Sequence, residues 1–130
     1  MKIGASHIIL YVVDQEISKA FYTDLLNQTP VRHVTGMTEF ELNSNLILGL
    51  MPNSSIAKII TPTLPNPSDA VGIPRCEVYL YIDDLIGHFE RIKNSNVQMV
   101  SSLESRNWGD NAFYVADPDG HVIAFAEREG

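Results

Sequence analysis

The sequence predicts an α+β protein of two β-α-β-β-β modules, joined into a curved mixed sheet with helices on its outer face and a concave cleft on its inner one. Three observations carry this expectation. First, the run His7-Ile8-Ile9-Leu10-Tyr11-Val12-Val13-Asp14 returns 70 residues later as Glu77-Val78-Tyr79-Leu80-Tyr81-Ile82-Asp83-Asp84, with Leu10, Tyr11 and Asp14 matched identically by Leu80, Tyr81 and Asp84. Second, each run has the β-branched and aromatic content of a strand and ends on an aspartate able to cap a helix. Third, each helical stretch is followed by three short strand-like runs. Neither half can bury its apolar face well alone, so the two are expected to share one sheet.

In chain order, module one covers about 3–51. After its opening strand, Asp14 caps a helix to about Leu26 with Ile17, Phe21 and Leu25 on one face, and Asn27 closes it. Strands follow at about 30–35, 38–43 and 46–51, with a turn at Asn43-Ser44-Asn45. Residues 52–75 carry Pro52, Pro62, Pro65, Pro67 and Pro74 and read as a linker, with Ile56 to Ile60 a short helix or packed crossing segment. Module two covers about 76–128. Asp83 or Asp84 caps a helix presenting Leu85, Phe89 and Ile92, closed by Asn94-Ser95-Asn96. Strands are expected at about 97–101, 111–116 and 121–127, with Asp117-Pro118-Asp119-Gly120 as the last turn and its aspartates setting backbone geometry. The whole chain, 1–130, is thus expected to be a single domain.

Composition narrows the function. Lys+Arg is 9 and Asp+Glu is 16, a formal net charge of −7. Such a chain lacks the basic footprint of a nucleic-acid binder and has little attraction to anionic lipid. No apolar run approaches the roughly 20 residues of a membrane span, and the start has no signal-peptide layout. The one cysteine, Cys76, cannot form an internal disulfide, so the expected location is the cytoplasm. Alternation turns Cys76 toward the helix side as a buried thiol.

Two such modules, an opening strand with His7, and the segment Phe113-Tyr114-Val115-Ala116-Asp117-Pro118-Asp119-Gly120-His121-Val122-Ile123-Ala124-Phe125-Ala126-Glu127 resemble the vicinal oxygen chelate superfamily. That superfamily includes glyoxalase I, extradiol dioxygenases, fosfomycin-resistance enzymes and bleomycin-resistance binding proteins. The resemblance spans nearly the whole chain. Its most specific part is Asn107-Trp108-Gly109-Asp110 with the Phe113–Gly120 stretch after it. Metal-using members place ligands at equivalent strand positions of the two modules. By that resemblance His7 matches a ligand, and Glu77 replaces a histidine with another possible ligand. Leu48 and Ala124 stand at the remaining two positions and cannot bind a metal. An open metal site needs about three protein ligands; other sources of a third are Glu39 and Glu41, which alternate with Phe40 and Leu42 on one strand, and His121, which opens the last strand but by alternation points less favourably than Val122.

Alternation gives the cleft lining. His7 and Tyr11 share one face; Glu77, Tyr79 and Tyr81 share the other module's. Leu48, Tyr114 and Ala124 join them, and Trp108 is a candidate lid. Arg106 reads as a solvated side chain or a contact for an anion. The expected function is capture of a small, partly apolar or aromatic molecule in a metal-free cleft, with no cofactor. Two readings compete with it. One is a lyase, isomerase or dioxygenase using a divalent metal on His7 and Glu77. The other is a degenerate member acting through its surface, suggested by the proline-rich 52–75. The open sheet edge and this long segment suggest a homodimer.

Overall fold

The first apolar run forms β1 (Ser6–Val12), and Asp14 ends it by accepting the Ile17 backbone N–H at 3.0 Å to start α1 (Gln15–Leu26). This computed structural model describes residues 1–129. Asn27 ends α1 in the left-handed conformation, φ 52°, where asparagine is tolerated. Then come β2 (Arg32–Val34), β3 (Met37–Asn43) and β4 (Leu46–Pro52), in a sheet ordered β1-β4-β3-β2 with β1 and β4 parallel. Beneath α1, Leu10, Val12, Phe40, Leu48 and Leu50 are buried.

The buried stripe of α1 is Ser18, Tyr22 and Leu25, not Ile17, Phe21 and Leu25. Ile17 is 58% exposed. The helix is rotated so that small Ser18 approaches the sheet and the Tyr22 ring meets Phe40 at 6.3 Å. Polar Ser18 disguised this face in the sequence.

Residues 52–75 are more structured than a linker. Helix α2 (Asn53–Ile60) starts three residues before the expected Ile56, buries Ile56 and Ala57 and packs on β4 and β1; a 3-10 turn follows at Pro67–Ala70. The chain accordingly divides into compact units at Val71/Gly72, and α2 belongs to the first.

The second unit repeats the plan with β5 (Glu77–Tyr81), α3 (Leu85–Lys93), β6 (Gln98–Ser105), β7 (Asp110–Ala116) and β8 (Val122–Arg128). Its sheet order is β5-β8-β7-β6, again with the outer pair β5 and β8 parallel. Asp84 caps α3 through the Gly87 N–H at 3.1 Å. Leu85 and Ile92 are buried, and Phe89 packs on Phe113 at 5.3 Å, as the spacing predicted. The class is therefore the expected α+β, with two similar modules, each with a four-stranded mixed sheet. Cys76 lies before β5 and is exposed, because the strand begins one residue later and alternation does not reach it. Among the described residues no helix is long and apolar enough to cross a membrane.

Candidate functional site

In the second unit, the parallel β5–β8 register pairs Glu77 with Val122, Tyr79 with Ala124 and Tyr81 with Ala126. The antiparallel β7–β8 register brings Ala116, Tyr114, Ala112 and Asp110 against Val122, Ala124, Ala126 and Arg128. Paired residues share a face. Glu77, Tyr79, Tyr81, Tyr114 and Ala124 thus lie together on the face opposite α3. Ala112, Ala124 and Ala126 are fully buried there.

Small alanines leave room for long side chains to cross. The Tyr79 and Tyr81 hydroxyls both donate to Asp110 Oδ2 at 2.7 Å. They start on β5 and end on β7, spanning β8, a reach of roughly 9–10 Å. The two rings meet edge to face, centroids 5.5 Å apart. Trp108, in the β6–β7 turn, donates its indole N–H to the Tyr79 hydroxyl at 2.9 Å, with its ring 6.5 Å from the Tyr79 ring at 59°. Asp110 is thus the buried foot of an aromatic cluster whose outer members stay open: Trp108 is 60% exposed and Tyr81 51%.

The electrostatics follow from this wiring. Donation from Tyr79, then Tyr81, holds the Asp110 carboxyl below its usual range. Burial, reinforced by the hydrogen bond to Asp110, pushes the Tyr79 phenol up to about 12. Burial and then the charge of Glu77 raise the Tyr114 phenol, so the Glu77 carboxylate acts on this same face. The Tyr79 and Tyr114 phenols therefore stay protonated at neutral pH.

Two arginines frame the cluster. Arg128 lies over the Tyr81 ring, 4.8 Å from its centroid, and Arg106 over the Tyr114 ring at 4.9 Å. Arg106 is not a solvated side chain or a free anion site. Its guanidinium donates to the Ser102 and Ala112 carbonyls at 2.8 Å and to the Ser101 hydroxyl at 3.0 Å, and its Nη1 meets Glu104 at 3.3 Å. It pins the irregular β6 to β7 and so fixes the turn carrying Trp108.

In the first unit, His7, Ile9 and Tyr11 lie on the face away from α1, with Ile47, Gly49 and Met51 beside them on β4. Leu48 does not join them. It pairs with Ile8 and Phe40 on the helix side and is 1% exposed. The counterpart of Ala124 is Gly49: it stands opposite Ile9 as Ala124 stands opposite Tyr79. The turn before β4 is shorter than the one before β8, which displaces the count by one. A Cβ on Gly49 would come within 3.1 Å of Ile9 and 3.2 Å of the Met37 sulfur, so the position is closed as well as donorless.

This donor set does not fit a divalent ion. Ala124 and Gly49 offer no ligand atom, and His7 Nδ1 lies 3.6 Å from Glu39 Oε2 across the first sheet. Among the described residues, the one group of three possible ligands within reach of each other is Asp117, Asp119 and His121. It braces the last turn: Asp117 Oδ1 accepts the Asp119 and His121 N–H groups at 2.9 and 2.8 Å, and Oδ2 lies 2.8 Å from His121 Nδ1. The reading of these aspartates as turn-setting holds. Asp110 and Arg128 were missed because they sit at strand ends, where a charged residue reads as turn or solvent; the alternation Asp110, Ala112, Tyr114 was the available signal.

Comparison with known proteins agrees with this architecture. The glyoxalase-like domain family matches residues 5–128, and the chain belongs to that family. A glyoxalase/bleomycin resistance protein/dioxygenase from Nocardioides superposes with a TM-score of 0.81 at 20% identity, over 99% of this chain and 85% of that one. A protein of unknown function from Agrobacterium tumefaciens gives 0.77 at 26% identity, over 98% and 94%. A lactoylglutathione lyase from the same organism gives 0.72 at 21%, over 93% and 90%. An uncharacterised protein of Mycobacterium bovis is 31% identical over 72 residues, 55% of this chain and 47% of that protein. The match thus spans about half the length of such curated relatives.

Proposed function

We propose that this glyoxalase-like protein is a metal-free binding protein that holds a small, partly apolar or aromatic molecule on the tyrosine face of its second sheet. The carrying observation is the pre-ordered cluster of Tyr79, Tyr81 and Trp108 tied to buried Asp110. Rings already fixed by hydrogen bonds lose little freedom when a ligand lands on them. A face rich in aromatic carbon with a few fixed polar groups suits an amphipathic guest. Where the family's metal-using members place donors, Ala124 and Gly49 supply no ligand atom, and buried Ala124 leaves the room that the tyrosine side chains cross. The working assembly is a homodimer, and light scattering that shows a monomer at micromolar concentration would rule it out.

Trp108 is the chain's one tryptophan, so its fluorescence reports on the site alone. Titration with benzyl alcohol and cyclohexanol is expected to give a saturable change. Tyr79→Ala should weaken it by about three- to tenfold, the worth of one aromatic contact. A linear response in the native protein, or one that Tyr79→Ala leaves untouched, would remove the proposal.

A further inference from the structure

We infer that the ligand class of this face is an organic cation, a substituted ammonium group carried on a small apolar body. The inference rests on the binding face proposed above and assigns its chemistry. Two tyrosine rings of the same face already hold cations: Arg128 covers Tyr81 at 4.8 Å and Arg106 covers Tyr114 at 4.9 Å. Among the described residues no cation lies over Tyr79 or Trp108. These two rings stand 6.5 Å apart at 59°, and Tyr81 closes on Tyr79 at 70°. The ring faces of Tyr79 and Trp108 that these contacts leave open are negative, and a π-face attracts a weakly hydrated cation more than a neutral group of the same shape.

The carboxylates point the same way. Asp110 is spent on the two phenols. Glu77 is exposed, two residues before Tyr79 on the same strand face, and makes no ion pair among the described residues. It stands roughly 7 Å along the strand from Tyr79, within reach of an ammonium seated on that ring. An anionic guest on Tyr79 would meet Glu77, while Arg106 is held by backbone carbonyls and Arg128 lies over Tyr81, four residues along the strand from Glu77. The net charge of −7 raises the local concentration of cations around the whole molecule.

The test compares choline with 3,3-dimethylbutan-1-ol, which replaces its quaternary nitrogen by carbon, by Trp108 fluorescence and calorimetry on the full chain. Choline is expected to bind roughly tenfold tighter than the alcohol, and Glu77→Gln to narrow that preference. Glu77 is exposed, so that variant keeps the fold. Equal affinity for the pair overturns the cation assignment and leaves the binding face standing. So does silence toward choline while benzyl alcohol binds. Silence toward all three compounds overturns both. A preference that persists undiminished in Glu77→Gln and in Trp108→Ala, the latter followed by calorimetry, places charge recognition elsewhere and also overturns the assignment.

Discussion

Asp110 organises more of the site than any other single residue, and it was the one least visible in the sequence. Its carboxylate takes two phenolic donors, and both ends of that exchange make stability depend on pH. Tyr79 is raised from 10.0 to about 12 by burial and then by Asp110. Below pH 10 the phenol is protonated in folded and unfolded chains alike, and its contribution is complete. Above that, the unfolded chain releases the proton first, so stability should fall as pH rises from about 10 to about 12. Asp110 works oppositely. Its lowered value gives a contribution present above the unfolded 3.8 and lost as pH falls through the folded value. Melting temperatures across pH for the native chain and Asp110→Asn should therefore differ at both ends, the variant losing the acid slope and part of the alkaline one. The alkaline part is only partial because burial, the larger cause, survives the substitution. Superimposable curves would mean that the Tyr–Asp wiring contributes no linkage. Tyr79, Tyr81, Tyr114 and Glu77 could be placed on one face from alternation alone. Their shared anchor could not, because a lone aspartate after Gly109 carries the signature of a turn.

At the scale of elements, the two modules answer the same demand with different turns. Gly120 has φ +88°, and a Cβ there would stand 2.9 Å from the Gly72 Cα, whose own N–H donates to the Asp119 carbonyl at 2.9 Å. Backbone meets backbone, and neither can step aside. Gly49 is crowded only by the Ile9 and Met37 side chains, which can shift by a few tenths of an ångström. Denaturant unfolding should therefore rank Gly120→Ala, with a loss of roughly 2–4 kcal/mol from strain plus clash, well below Gly49→Ala at about 1 kcal/mol. The reverse order would show that the Gly72 crossing gives way easily. The same difference in turns explains what the sequence hid. Strand identity, the capping aspartates and the buried face of α3 were all legible from period and spacing. Leu48 was placed on the wrong face because the shorter turn before β4 shifts the register by one, and a shift of one exchanges the faces of a strand. Helix α1 was misread by the polarity of Ser18, whose small size is what lets the helix approach. Helix α2 was legible as the short helix offered for Ile56 to Ile60, but the prolines around it hid its start, although Pro52 stands just before the helix, where a missing N–H costs nothing.

At the scale of the whole molecule, the chain keeps the architecture of a family whose metal-using members draw ligands from both modules, but it keeps few of the ligands. Of the four positions, Ala124 and Gly49 have no donor atom, His7 is drawn toward Glu39, and Glu77 remains. One imidazole and one carboxylate fall short of the three protein ligands that an open divalent site requires. Chelator-treated protein should then show no change in melting temperature with nickel, zinc, manganese or ferrous iron. The expectation is sharp because the alternative is large. A metal at about 100 times its dissociation constant adds about 2.7 kcal/mol, which for a chain of this length raises the melting temperature by roughly 8–10 °C. A shift of that size, abolished by His7→Ala and by Glu77→Ala, would transfer the protein to the metal-dependent lyases, isomerases and dioxygenases and oblige a search for its third ligand, beginning with Glu39. A shift that survives both substitutions would point to the Asp117–His121 turn as an incidental site. A flat response leaves the aromatic face of the second sheet as the place where this chain meets its ligand.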